Sequence, residues 1–166
     1  MRNILAFYVS KHAHRKQKRR YTGVSYHTHC VEVARIVKDN GGTNAEIQAA
    51  YLHDVLEDTT LPKWVIRLLF GSKVLGLVIE LSDVTTLRDG NRKVRKQIEL
   101  ERISKVSSSA KFVKLADMIS NTKSIKEYDP RFYYTAYREE CLDLAEVCMD
   151  ASADLYKRLM KQLALE

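Results

Sequence analysis

The sequence predicts an all-α protein, one domain of about eight helices, and three observations predict it. In nearly every segment apolar residues recur at the three- and four-residue spacing of a helix face. No period-two alternation survives for more than four residues, which argues against a sheet. Only two prolines and six glycines interrupt 166 residues, and 45% of them are apolar, enough for a real core.

Residues 3–13 are amphipathic and open the chain as a helix. Tyr21-Thr22-Gly23-Val24-Ser25 reads as a turn. Thr28 can cap a second helix, running through Val31, Val33, Ala34, Ile36 and Val37 to a stop at Gly41-Gly42. Asn44 is placed to cap the central helix, whose stretch Ile47 to Leu56 is apolar around nearly its whole circumference. Pro62 fits the first turn of the next helix, with Trp64, Ile66, Leu68 and Leu69 as its core residues and Gly71 closing it. Ser72 caps another, through Leu81. Residues 84–92 are the one polar, loop-like interruption of any length. Further helices are predicted over 93–105 and 110–126, Asp129-Pro130 breaks the chain, and one or two covering helices fill 131–165.

The totals exclude several classes. No apolar run approaches membrane-spanning length. The N-terminal apolar run is too short for a secretory signal and lacks a small-residue cleavage site. Cys30, Cys141 and Cys148 are odd in number and show no CxxC spacing, so a reducing, cytoplasmic setting is expected and a disulfide framework is not. The net charge is +7, and Lys11, Arg15, Lys16, Lys18, Arg19 and Arg20 concentrate six positives in ten residues. With those set aside, 22 of the 28 Lys and Arg face 21 Asp and Glu. A basic segment of this kind is either a solvated face or a contact for an anionic partner.

The chemistry concentrates at the end of the central helix, which carries His53, Asp54, Glu57 and Asp58. At helical spacing His53 and Glu57 are neighbours, as are Asp54 and Asp58. Burying carboxylates and an imidazole together is costly unless a cation or a set of donors compensates. The Gly41-Gly42-Thr43 connection lets the second helix pack antiparallel to the central one, so that His29 approaches His53 and Asp54. Asp117 lies on an i, i+4 stripe with Val113 and Asn121, amid Phe112, Leu115, Ala116 and Ile119, and supplies a plausible fourth ligand. Two imidazoles and two carboxylates without a thiolate suit Mn, Fe or a catalytic Zn better than a closed structural zinc site. Glu57 and Asp58, one turn on, are placed to orient a water or protonate a leaving group. A metal, a carboxylate pair and a basic entrance read as phosphate-ester or pyrophosphate hydrolysis.

His29, then His53-Asp54, then Asp117 resembles the metal-binding signature of the HD superfamily of phosphohydrolases. Leu52-His53-Asp54-Val55-Leu56-Glu57-Asp58-Thr59 is similar to the hydrolase domain of RelA/SpoT proteins and of stand-alone small alarmone hydrolases. Three further stretches agree in collinear order over residues 5–126: Gly23 to His29 matches GxxYxxH, Phe70-Gly71 through Val84-Thr85 matches the segment after the ED motif, and Val113 to Asn121 matches VKLADxxxN. Ser25 and Cys30 stand where the family usually has proline.

The resemblance implies a single HD domain over 1–166 that hydrolyses the 3′-pyrophosphate of guanosine tetra- and pentaphosphate, with Mn²⁺ as the usual metal and no synthetase activity. By it His29, His53, Asp54 and Asp117 are the ligands and Glu57 and Asp58 the catalytic pair. Arg19, Arg20 and Asn121 would contact the nucleotide. Tyr128, Tyr133, Tyr134 and Tyr137 are all candidates for contacting the base. The same machinery would serve a phosphatase of NADPH or of a nucleoside monophosphate. A non-catalytic nucleic-acid-binding module is a third reading, and it leaves Glu57-Asp58 beside a metal without a purpose. The sequence leaves the oligomeric state open.

Overall fold

The computed structural model describes residues 1–164. Among them every regular element is a helix, and the sole extended pairing is an isolated bridge between Lys18 and Ser25. It divides into two compact units, Met1–Ser82 and Asp83–Glu166.

The first unit holds α1 (Arg2–Ala13), α2 (His27–Asp39), α3 (Asn44–Leu52), α4 (Val55–Asp58), α5 (Lys63–Phe70) and α6 (Ser72–Leu81). Helix α3 is the centre, packed against α1, α2 and α6. Its Ala49, Ala50 and Leu52 are fully buried, which matches a helix apolar on all sides. Thr43, not Asn44, caps it: the Thr43 hydroxyl accepts from the Glu46 N–H while the Glu46 carboxylate accepts from the Thr43 N–H. Asn44 instead accepts from Asn3 of α1 through its side chain. Helix α2 starts one residue before the expected cap, at His27, and Thr28 turns its hydroxyl back to the Ser25 carbonyl.

The central helix does not run through to Asp58. It stops at Leu52, and His53 and Asp54 form a turn before α4 resumes. Asp54 sits at φ −96°, ψ −3°, and its carbonyl accepts from both the Glu57 and the Asp58 N–H groups. The break falls on the dipeptide that carries the chemistry. Trp64, expected in the core, is 65% exposed, and Leu68 one turn on is exposed as well; Ile66 and Phe70 are the buried residues of α5.

The second unit holds α7 (Arg92–Ser104), α8 (Ser108–Tyr128), the single turn α9 (Pro130–Phe132), α10 (Arg138–Cys148) and α11 (Ala153–Leu163). Helix α8 packs against α10 and α11, and α7 against α10. The expected covering helices are interrupted twice, by a π-helical segment at Tyr133–Tyr137 and a 3₁₀ turn at Met149–Ala151. Ser152 then caps α11 through the Leu155 N–H. The expected helix end at Leu165 lies outside the described residues.

Candidate metal centre

His29 rises from the first turn of α2, and His53-Asp54 from the break after α3, two helices that pack together. Both imidazoles are buried, His29 at 2% and His53 at 4% exposed. Their rings lie 5.2 Å apart at 67°. One carboxylate oxygen is the focus. Asp54 Oδ2 is 2.9 Å from His53 Nε2, 3.8 Å from His29 Nε2, and accepts a hydrogen bond from the Tyr26 hydroxyl at 2.6 Å.

The second nitrogen of His53 shows what this focus requires. His53 Nδ1 lies 2.8 Å from the Ala50 carbonyl, which can only accept, so Nδ1 carries a proton. In a neutral ring Nε2 then offers a lone pair toward a carboxylate oxygen 2.9 Å away. Two such acceptors in contact need a positive charge, either a second ring proton or a cation. His29, His53 and Asp54 each turn one ligand atom into the same space, all within 4.8 Å of one another. Two imidazole nitrogens, a carboxylate oxygen, and a backbone carbonyl fixing one ring's tautomer fit a divalent metal.

The other expected residues are placed as follows. Glu57 and Asp58 are exposed on α4, one turn past Asp54, and Asp58 Oδ2 accepts from the Gln17 side-chain amide at 2.9 Å. Arg19 is half-buried, with its guanidinium over the Tyr26 ring at 5.9 Å, whereas Arg20 is exposed over Tyr21 at 5.4 Å. Arg19 is therefore the one attached to the metal group, through Tyr26.

In the second unit, Asp117 is buried on α8 and accepts from Asn121 at 2.7 Å and from Lys114 at 3.3 Å. Lys114 also reaches Glu99 at 3.5 Å, and Lys96 pairs with the same Glu99. Burial pushes the Glu99 carboxyl up, but Lys114 and Lys96 outweigh it and hold it below the ordinary carboxylate range. Asp117, Asn121, Lys114 and Glu99 line a cavity of about 150 Å³ that Tyr137 also lines. Of the four tyrosines, Tyr133 is fully buried, Tyr128 and Tyr134 are half-exposed, and Tyr137 alone joins this cavity's lining. Its hydroxyl lies 3.4 Å from Thr122, and burial raises its pKa well above 10.

His14 and Gln17, which the sequence does not single out, neighbour the His29–His53–Asp54 group in its own unit. His14 is fully buried, with Nδ1 2.6 Å from Gln17 Oε1 and its ring 5.0 Å from that of Tyr26. His27 is buried beside Ser10, and burial first, then His14 and Lys11, hold its pKa below the ordinary value. The available signal was the spacing: a histidine, a glutamine and a tyrosine within thirteen residues that also carry five Lys and Arg.

Comparison with known proteins agrees with the geometry. The chain is 38% identical over 120 residues to the guanosine-3′,5′-bis(diphosphate) 3′-pyrophosphohydrolase MESH1 of Xenopus tropicalis, covering 70% of this chain and 65% of that one. It is 34% identical over 132 residues to the probable GTP diphosphokinase RSH3, chloroplastic, of Arabidopsis thaliana, covering 76% of this chain and 18% of that one. The chain thus spans less than two thirds of the length of these curated relatives. A solved structure of a metazoan ortholog of SpoT that hydrolyzes ppGpp and plays a role in starvation responses superposes with a TM-score of 0.87 at 26% identity, covering 97% of this chain and 93% of that one. The family model of the HD domain matches residues 6–145, and the chain belongs to the HD-domain family.

Proposed function

We propose that the chain is a manganese-dependent hydrolase that removes the 3′-pyrophosphate of guanosine tetra- and pentaphosphate, yielding GDP or GTP and pyrophosphate. The observation that carries the reading is the convergence of His29, His53 and Asp54, with Glu57 and Asp58 one turn beyond. The activity of the similar Xenopus protein supports the substrate. The family match runs across both units, which supports reading 1–166 as one hydrolase domain.

In this reading His29, His53 and Asp54 hold the metal, with Asp117 as the fourth ligand on the strength of the VKLADxxxN match. A bound divalent metal polarises a phosphoryl oxygen and lowers the pKa of water. Glu57 and Asp58 manage the protons: one takes a proton from the attacking water, and a proton returns to the ribose 3′ oxygen as its bond to phosphorus breaks. Water's oxygen ends on the released pyrophosphate, so the atoms balance.

Arg19, held over Tyr26, supplies positive charge to the phosphates, and it rather than Arg20 is the principal contact. Asn121 and Tyr137 are the proposed nucleotide contacts of the second unit. The reading places the protein in the cytoplasm, in keeping with three free, buried cysteines.

The test is hydrolysis of guanosine tetraphosphate with Mn²⁺, resolving GDP and pyrophosphate, beside a Glu57→Ala/Asp58→Ala variant. Pyrophosphate release by the wild type alone is expected. A metal-loaded wild type that leaves guanosine tetraphosphate intact but releases phosphate from NADPH or a nucleoside monophosphate would replace the substrate. Salt-sensitive nucleic-acid binding that survives chelation, without turnover, would replace the enzyme reading.

A further inference from the structure

We propose that Gln17 is a positioning residue for Asp58, and that the buried ring of His14 fixes Gln17 in the one amide orientation able to do this. The proposal rests on the reading of Asp58 as a catalytic carboxylate.

The backbone brings the three together. His14 ends α1, the Gln17 N–H returns to the His14 carbonyl at 2.9 Å, and the Tyr26 N–H donates to the Gln17 carbonyl at 3.0 Å. The side chains then form a directed relay. An ionised Asp58 only accepts, so the atom of Gln17 that is 2.9 Å from it is the amide nitrogen. That leaves the amide oxygen facing His14 Nδ1 at 2.6 Å, and an amide oxygen also only accepts. His14 therefore carries its proton on Nδ1. Were the amide reversed, its oxygen would meet the Asp58 carboxylate and its NH2 would face the His14 Nδ1–H, a clash at both ends for this ring tautomer. With Oδ2 engaged by Gln17, Oδ1 is the oxygen left to face the reacting groups.

The same ring braces the metal side. His14 lies against Tyr26 at 5.0 Å and 35°, and the Tyr26 hydroxyl donates to Asp54 Oδ2. One fully buried imidazole thus supports both a metal ligand and the carboxylate one turn beyond it.

Magnitudes separate this role from a structural one. Asp58 is exposed, so one hydrogen bond to it adds little to stability. A carboxylate moved by about 1 Å from its productive place can lose roughly 10²-fold in rate. The relay matters for catalysis far more than for folding.

The test compares wild type, Gln17→Leu, Asp58→Asn and the double variant on guanosine tetraphosphate with Mn²⁺, measuring kcat, KM and bound metal. Gln17→Leu is expected to lower kcat by about tenfold or more, with KM and metal content within about twofold, and the double variant to be no slower than Asp58→Asn. His14→Phe, which keeps a ring against Tyr26 but has no Nδ1–H, is expected to match Gln17→Leu. Wild-type kcat in Gln17→Leu overturns the proposal. Multiplicative losses in the double variant, or a loss confined to KM or metal content, overturn its route through Asp58. Full kcat in Asp58→Asn instead removes the catalytic assignment on which the proposal rests. Independently of turnover, with zinc in place of manganese, the Gln17 side-chain amide ¹⁵N–¹H signals are expected to shift in Asp58→Asn and in His14→Phe. Unchanged signals in both overturn the relay even in a protein that cleaves nothing.

Discussion

The Tyr26 hydroxyl donates to the same Asp54 oxygen that the His29 and His53 imidazoles approach. A hydrogen bond of this kind orients a ligand and sets how its charge is shared, and losing one typically weakens metal binding 10–100-fold, by about that order. Tyr26→Phe keeps the ring against His14 and under Arg19, so its stability should fall by no more than about 1.5 kcal/mol. The expected outcome is about 10–100-fold weaker metal affinity with a near-normal unfolding midpoint, read by competition against a chelating dye. Equal affinity in the two proteins would mean that the bond does not act on the metal site. His29, His53 and Asp54 were legible because acidic and imidazole groups on helices built to be buried demand an explanation. His14 and Gln17 were not, because a histidine among six basic residues carries no such demand until its burial is known.

At the scale of elements, periodicity located nearly every helix, and each miss has its own cause. Adjacent residues competing for one cap differ in backbone geometry that composition does not reveal: Thr43 is extended at φ −66°, ψ 162° and takes the cap, while Asn44 enters the helix. The turn at His53-Asp54 was invisible because no Gly or Pro marks it and the strong helix formers Ala49, Ala50, Leu52, Leu56 and Glu57 surround it. Trp64 looked like core because its i, i+2 and i+4 neighbours are apolar, yet the buried face of α5 is that of Ile66 and Phe70.

The junction of α5 and α6 offers a paired test. Gly71 links them at φ 90°, ψ 173°, a region essentially confined to glycine, whereas Gly76 lies exposed inside α6. A Cβ at either position meets no atom within 4 Å, so backbone alone decides. Gly71→Ala should destabilise by about 1–3 kcal/mol. Gly76→Ala should stabilise by about 0.5–1 kcal/mol, since alanine loses less entropy in a helix. Urea unfolding of the two variants checks both signs, and a common sign would mean that contacts rather than backbone geometry govern the junction.

For the molecule as a whole, the buried ionisable groups set the pH range in which it is stable. Burial foremost pushes the Cys141 and Cys148 thiols up to about 11 from an ordinary 9.0. A group whose folded pKa is raised stabilises fully below its unfolded value and loses that contribution as pH rises through the folded one. Each thiol therefore withdraws roughly 2–3 kcal/mol between about pH 9 and 11, and Tyr137 adds to the loss above pH 10. On the acid side the signs reverse. His27, held below 6.5, withdraws its contribution as pH falls from 6.5, and Glu99, held below 4.5, does so as pH falls from 4.5 through its lower folded value. Stability should be level between about pH 7 and 8.5 and fall on both sides. Urea midpoints measured from pH 4 to 11 test the shape, and Cys141→Ala/Cys148→Ala tests the cause. In that variant the decline from pH 9 to 10 should largely vanish while the acid side stays as it was. A decline that persists unchanged would assign the alkaline loss to the tyrosines, Tyr137 foremost, and remove the thiols from the account.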